Sequence, residues 1–345
     1  MLESIWFILW GVLWAVYFML DGFDLGMGTL MPFLARTEAE KRMIYRAMGP
    51  YWDGNEVWLI AAGGVTFAAF PTTYSVMFSG LYSALMLILF ALIFRGVSVE
   101  YREQVDHPTW RAVWDYCLAA GSFLPALLLG VAFANIFQGI PIDADGIYQG
   151  TLFTLLNPYG LFGGVLFVAM FLLHGCLWLL VKTEGTVQEK AAAIVRKLWA
   201  ALAVIAVGFL IATWYATRLY DNYIQNPLMY VVPIILIPII AVGALVMIRV
   251  YLAKEQWWRA WFASSALIVS VTLFGVAGLY PNLLPSSLNP AFSMTIYNSA
   301  SSQLTLKIML GVALTFVPIV IAYQAWVFNL FKHRVTEAEA EESYY

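Results

Sequence analysis

Two pairs of carboxylates stand out in an otherwise apolar chain: Asp21 with Asp24, and Asp53 with Glu56. Each pair is three residues apart, so on a helix both members share a face. Carboxyls held close together raise one another's pKa and a neighbouring guanidinium lowers it, which gives groups able to hold and pass protons. Arg95, Arg111 and Asp115 stand at the ends of further apolar runs, and ionisable groups in such segments are costly enough to be functional candidates. The competing reading is a salt-bridge cluster that fixes helix packing or docks another subunit.

Other chemistry is sparsely represented. His174 is the one histidine inside an apolar run, with His107 in a connection and His333 in the tail. Haem iron takes axial ligands such as His, Met, Cys or Tyr. One such histidine and scattered methionines argue against haem ligation by this chain. Cys117 and Cys176 lie in apolar runs without Cys-x-x-Cys spacing, and read as packing thiols. There is no Walker-type loop, dinucleotide fingerprint or metal-ligand cluster, so any redox chemistry belongs elsewhere.

The elements that position the carboxylates are expected to be membrane helices. Of the 345 residues 62% are hydrophobic and 11% charged, against about 25% charged in soluble proteins, and the mean hydropathy is +0.79. Aromatic residues gather near the ends of apolar runs, as interfacial belts do. A net charge of −3 without a basic stripe excludes nucleic-acid binding. Acidic Glu3 and the lack of a small-residue cleavage site predict a retained first helix. Windows of roughly 20 apolar residues predict nine transmembrane helices near 4–24, 53–70, 73–95, 112–135, 159–181, 198–217, 228–248, 260–280 and 305–330.

Basic residues then sort by connection. Arg36, Lys41, Arg42 and Arg46 fall in the first; Arg95, Arg102 and Arg111 in the third; Lys182, Lys190, Arg196 and Lys197 in the fifth; Arg249, Lys254 and Arg259 in the seventh. With Lys332 and Arg334 in the tail, 16 of the 18 lie on one side. The exceptions are Arg218 and Lys307, the latter placed to snorkel at the outer start of the ninth helix. The positive-inside rule predicts an outward N-terminus and a cytoplasmic C-terminus. That orientation gathers Asp21, Asp24, Asp53, Glu56, Arg95, Arg111 and Asp115 at one depth on the cytoplasmic side.

An internal echo aligns Gly11–Gly22 with Gly164–Gly175, pairing Asp21 with His174. Helix 1 then corresponds to helix 5. The expected architecture is all-α: a first four-helix half over 1–135, a second over 159–280, a peripheral ninth helix over 305–330 and a tail over 331–345. Gly22 with Gly26, and Gly160 with Gly164, have the spacing that lets helices approach closely. The outer connections 136–158 and 281–304 hold no Lys or Arg and read as ordered, covering either interfacial surface or a partner.

Three stretches together resemble subunit II of the cytochrome bd quinol oxidases: Asp21-Gly-Phe-Asp-Leu-Gly26, Pro50-Tyr-Trp-Asp-Gly-Asn-Glu-Val-Trp58 with Ala61-Ala-Gly-Gly64, and Ser301-Ser-Gln-Leu-Thr-Leu306. Trp110–Asp115, Gly130–Asn135 and Leu156–Gly160 fit the same pattern. The similarity spans nearly the whole chain and is weakest across 182–260. The connection between helices 6 and 7 is short for the family. The resemblance implies a membrane-bound terminal oxidase of a bacterial or archaeal inner membrane that oxidises quinol and reduces dioxygen to water. It further implies two haems b and a haem d in the homologous subunit I, a structural quinone in some members, and small single-helix accessory subunits. Asp24, Trp52, Asp53, Arg95 and Asp115 match family positions linked to proton entry or complex integrity, with Trp52, Arg95 and Arg111 as structural or charge partners. The rival classes are a proton-coupled transporter, which would have helices broken near mid-membrane, and a pure scaffold subunit.

Overall fold

A computed structural model describes residues 1–225 and 232–341. Helices α1 (Leu2–Leu34), α2 (Glu38–Met48), α3 (Trp52–Ala69), α4 (Pro71–Gly80), α5 (Tyr82–Tyr101) and α6 (Pro108–Gln138) form the first part. A single turn, α7 (Leu152–Leu155), precedes α8 (Pro158–Lys182), α9 (Thr186–Ala216), α10 (Leu219–Gln225), α11 (Ile237–Ala253) and α12 (Trp257–Leu279). A short antiparallel pair, β1 (Asn282–Leu284) with β2 (Met294–Thr295), leads to α13 (Gln303–Leu330) and α14 (Glu337–Glu341).

The starts follow local chemistry. Pro71, Pro108 and Pro158 open their helices, where a missing N–H costs nothing. Asn157 caps α8 by accepting from Gly160 N at 2.8 Å, and Ser302 caps α13 by accepting from Thr305 N at 3.1 Å. Thr37 and Glu40 make a reciprocal capping box at α2.

Among the described residues eight helices are long and apolar enough to cross a membrane: α1, α5, α6, α8, α9, α11 with the turn before it, α12 and α13. The expected second span, realised as α3, is not among them, since Asp53 and Glu56 dilute its 18 residues. The expected third span, 73–95, is broken at Leu81: its first part belongs to α4, and α5 runs on to Tyr101. Met77, Phe78 and Leu81 keep that stretch apolar, so hydropathy does not register the turn. The start of the expected seventh span, 228–231, lies outside the described residues, as do 342–345 of the tail.

Side-chain pairings give each helix a direction. Trp10 Nε1 donates to Thr66 Oγ1 at 2.9 Å and Asn55 Nδ2 to Asp24 Oδ2 at 2.7 Å, so α3 runs antiparallel to α1. Phe18 meets Phe133 at 5.1 Å while Gly28 abuts Ser122, making α6 antiparallel to α1 as well. Gly121 lies against Ala91 and Arg95, and Asp115 against Arg102, so α5 opposes α6. Phe18 lies 5.0 Å from Phe167 and Phe23 lies 4.5 Å from Trp178, so α8 is parallel to α1. Trp6 Nε1 donates to the Leu306 carbonyl at 3.1 Å and Phe23 faces Phe328, aligning α13 with α1.

Helix α8 is the centre of the packing, with 78% of its most apolar window buried, against 6% for α13 at the periphery. Its crossing with α1 depends on glycine: a Cβ on Gly26 would stand 1.9 Å from the Phe171 carbonyl oxygen, and one on Gly175 2.5 Å from Met27 N. Helix α8 then meets α6 where Gly130 faces Gly163 and Gly164.

The face that carries the N-terminus, hereafter the N-terminal face, is capped by the two long connections, which are ordered. Ile140 N donates to the Pro285 carbonyl at 3.1 Å, Ser287 N to the Ile140 carbonyl at 3.0 Å, and Ser286 Oγ to the Ile142 carbonyl at 2.6 Å. On the opposite, basic face the tail is strapped down. Val335 N donates to the Lys182 carbonyl at 2.7 Å, Glu337 Oε1 accepts from Thr186 N and Oγ1, and α14 packs on α2.

Candidate functional site

Helix α1 continues ten residues beyond Asp24, so both of its aspartates are enclosed by neighbouring helices. Asp21 and Asp24 are fully buried, as is Arg95 near the end of α5. Arg95 Nη2 lies 2.7 Å from Asp21 Oδ1 and donates to Glu56 Oε1. Asp24 Oδ2 accepts from Asn55, whose Oδ1 accepts from Gln324 Nε2 at 3.3 Å, while Gln324 Oε1 accepts from Trp58 Nε1 at 2.9 Å. The cluster thus ties α1, α3, α5 and α13 together.

Arg95 meets two of the three carboxyls, Asp21 and Glu56, with Asp24 held beside them by Asn55, so the group of three is neutral against one guanidinium only with protons on two of them. Asp21 Oδ1 is met by the Arg95 ion pair, while among the described residues Asp24 Oδ1 and Arg95 Nε and Nη1 have no hydrogen-bond partner. Buried polar atoms are ordinarily satisfied, so this concentration marks a polar spot in a low-dielectric layer. It is graded in exposure: Asp53 is exposed in the first turn of α3, the Glu56 side chain is 23% exposed, and Asp21 and Asp24 are sealed. Trp52 packs its ring where a Cβ on Gly96 would be 3.1 Å away, which pins the start of α3 beside Arg95.

Asp115 and Arg111 do not join this cluster. Asp115 Oδ1 accepts from Arg102 Nε at 2.6 Å, and its Oδ2 lies 3.0 Å from Lys41 Nζ. Arg102 also reaches Glu38 at 2.7 Å and Glu103, and lies over the Tyr45 ring at 5.1 Å. Arg111 pairs with Asp106 at 2.9 Å and more distantly with Glu103 at 3.8 Å. This second network belongs to the basic face. Burial raises the Glu38 carboxyl, but Arg102 and Lys41 outweigh it and hold it below the usual range. Lys41 is pushed up, burial being overcome by Asp115 and Glu38. The geometry of this lattice is that of an ion-pair network joining α2, the end of α5 and the start of α6.

Sequence reasoning placed Arg102 and Lys41 in connections without a role and did not single out Glu38. Arg95 and Arg102 are seven apart, two helical turns, and that spacing is the signal that they share one face of α5. Asn55 and Gln324, neutral amides inside apolar runs, carried no comparable mark.

His174 is held on both sides. Its Nε2 lies 2.9 Å from the Met19 carbonyl, which can only accept, so the proton is on Nε2. Its Nδ1 lies 2.6 Å from Ser264 Oγ, and the ring stacks on Trp261. Cys176 Sγ donates to the Ala191 carbonyl at 3.4 Å, and Cys117 is half-buried.

The capping box has a measurable weight. Burial raises the Glu40 carboxyl, yet Lys190 and the backbone N–H groups of Arg36 and Thr37 outweigh it and bring it down to about 2. Glu40→Ala is expected to lower stability by about 1–2 kcal/mol, read as a lower thermal midpoint in detergent. Because the folded carboxyl lies below its ordinary 4.5, the contribution is complete above that pH and is lost as pH falls through about 2. A variant whose midpoint matches the parent at neutral pH would remove this role.

The family of cytochrome bd terminal oxidase subunit II matches residues 2–331. The chain belongs to that family. Cytochrome bd-I ubiquinol oxidase subunit 2 of Escherichia coli (strain K12) is 36% identical over 369 residues, covering 99% of this chain and 97% of the relative. Cytochrome bd ubiquinol oxidase subunit 2 of Bacillus subtilis (strain 168) is 36% identical over 340 residues, covering 98% of each. The bd oxidase structure from Geobacillus thermodenitrificans shares the fold with a TM-score of 0.77 at 17% identity, over 96% of this chain and 98% of that one. As a subunit II, the protein is a multi-pass membrane component of an oxidoreductase complex in the respiratory chain, whose family implies haem and a subunit I.

Proposed function

We propose that this chain is the second large subunit of a quinol-oxidising, dioxygen-reducing oxidase, and that Asp53, Glu56, Asp21 and Asp24 conduct protons from the cytoplasmic face toward the partner. The observation that carries this is the buried three-carboxyl, one-guanidinium cluster that reaches the surface through Glu56 and Asp53. Protons taken up inside for water formation, with quinol protons released outside, build membrane potential without a pump.

The reading includes nine spans, an outward N-terminus and a cytoplasmic tail. Support comes from helix direction: α1, α5 and α8 run one way and α6 the other, so a crossing must separate α1 from α5, and α3 runs antiparallel to α1 at that place. Two four-helix halves are supported by the contact between the echoing segments of α1 and α8. The halves differ at their matched positions, Asp21 facing Arg95 and His174 facing Ser264, so the proton path belongs to the first half.

Haems b and d belong to subunit I on this reading. The buried His174 commits both ring nitrogens to hydrogen bonds and Cys176 its thiol, which supports that placement. Subunit II then supports assembly and haem retention.

Asp24→Asn tests the proton role, because the amide keeps the size of the carboxyl and removes its charge. An intact, haem-loaded complex with oxygen turnover lowered by roughly tenfold or more is expected. Unchanged turnover would leave a scaffold, and an isolated chain that carries protons without a haem partner would favour a transporter.

A further inference from the structure

Two cavities in the second half of the chain adjoin at Phe137 and Leu219. One, of about 640 Å³, lies on the N-terminal face between the α9–α10 corner and the loop after α12, and its lining includes Gln138, Arg218, Asp221, Asn282 and Ser287. The other, of about 260 Å³, lies within the membrane layer between α8, α9, α11 and α12, and Leu166, Ala206, Ala241, Leu245 and Val271 are among its lining. Phe137 and Leu219 line both. A hydroxyl borders the inner chamber at Thr213, and it is already committed to the Phe209 carbonyl and the Tyr159 hydroxyl. A polar mouth thus stands directly against an apolar bore, with the Phe137 and Leu219 side chains at the junction, and the two are taken together below as one slot.

The mouth carries a particular charge pattern. Arg218 is the one Lys or Arg in the connections of this face, is exposed, and has no carboxylate within ion-pair distance among the described residues. Asp221 stands three positions on, exposed in the same mouth. Asn222 N donates to the Arg218 carbonyl at 3.2 Å, so the two lie on a helical turn, where i and i+3 side chains start about 5–6 Å apart. A cation and an anion held side by side but unpaired, above an apolar bore, match a headgroup with adjacent phosphate and ammonium and a long apolar tail. An uncharged head leaves both side chains unanswered, a purely anionic head is opposed by Asp221, and a water-soluble ligand has no use for the bore.

We infer that this slot binds one zwitterionic aminophospholipid of the phosphatidylethanolamine type. Its phosphate lies on Arg218, its ammonium on Asp221, and one acyl chain fills the bore between α8, α9, α11 and α12. The site is remote from the carboxylate cluster, so its failure and the failure of the proton reading are distinguishable.

The test is native mass spectrometry of the complete detergent-purified oxidase, titrated separately with dioleoyl phosphatidylethanolamine, phosphatidylglycerol and phosphatidylcholine. Phosphatidylethanolamine is expected to be retained most tightly, as one molecule per complex. Arg218→Gln is expected to weaken that retention at least tenfold. Asp221→Asn should bring it to the level of phosphatidylcholine, and Ala206→Trp, which fills the bore, should abolish it. Haem spectra and oxygen turnover should stay at parental values in all three variants. Equal retention of the three lipids, no effect of either charge substitution, or extraction of a quinone with no phospholipid from the parent would each overturn the assignment.

Discussion

Arg95→Gln is expected to prevent recovery of an assembled complex. The guanidinium is fully buried and is the cation within reach of Asp21 and Glu56. Removing one partner of a buried pair leaves an uncompensated charge and costs about 3–5 kcal/mol, a large share of a typical stability of about 5–15 kcal/mol. The measurement is the yield of haem-loaded complex in mild detergent, with the thermal midpoint where material survives. Asp21→Asn in the Arg95→Gln background removes the buried carboxylate that Arg95 pairs with, leaving Asp24 on its Asn55 hydrogen bond and Glu56 with access to the surface, so partial recovery is expected. A double variant no better than the single one would mean that the two groups are not coupled.

Gly26→Ala should be as damaging for a different reason. The added methyl would lie 1.9 Å from a backbone oxygen at Phe171 and 3.0 Å from Gly175 N, and neither can rotate aside. Helices α1 and α8 would have to separate, with an overpacking cost of about 3 kcal/mol or more. Gly243→Ala is the control. Its Cβ meets nothing within 4 Å, and alanine in a helix interior is favoured over glycine by about 0.5–1 kcal/mol. Equal thermal midpoints for the two variants would refute the tight crossing.

Membrane character and the sorting of basic residues are legible in the sequence because each depends on composition over tens of residues. The second span was read at 53–70, where α3 runs beside α1, although Asp53 and Glu56 make that helix the most polar of the expected spans. The break in the third span at Leu81 was not legible, because the turn is made of residues as apolar as the helices it joins. Asp21, Asp24 and Glu56 were found from their types and spacing, and Arg95 completes their site. Asp115 was grouped with them because depth along a helix was legible and the direction of its side chain was not. Facing α2, it belongs with Arg102 and Lys41. The echo between Gly11–Gly22 and Gly164–Gly175 marked a real contact, since Gly22 and Gly175 both lie at the crossing of α1 with α8.

The position of α1 sets an order on synthesis. It is made before α3, α5 and α8, carrying two carboxyls whose partners Asn55 and Arg95 follow later, and its glycine seam waits for α8, some 150 residues downstream. Since chains emerge N-terminus first, a helix that buries two aspartates in the finished protein begins without the partners that match them. A nascent chain halted before Arg95 presents Asp21 without its counter-charge.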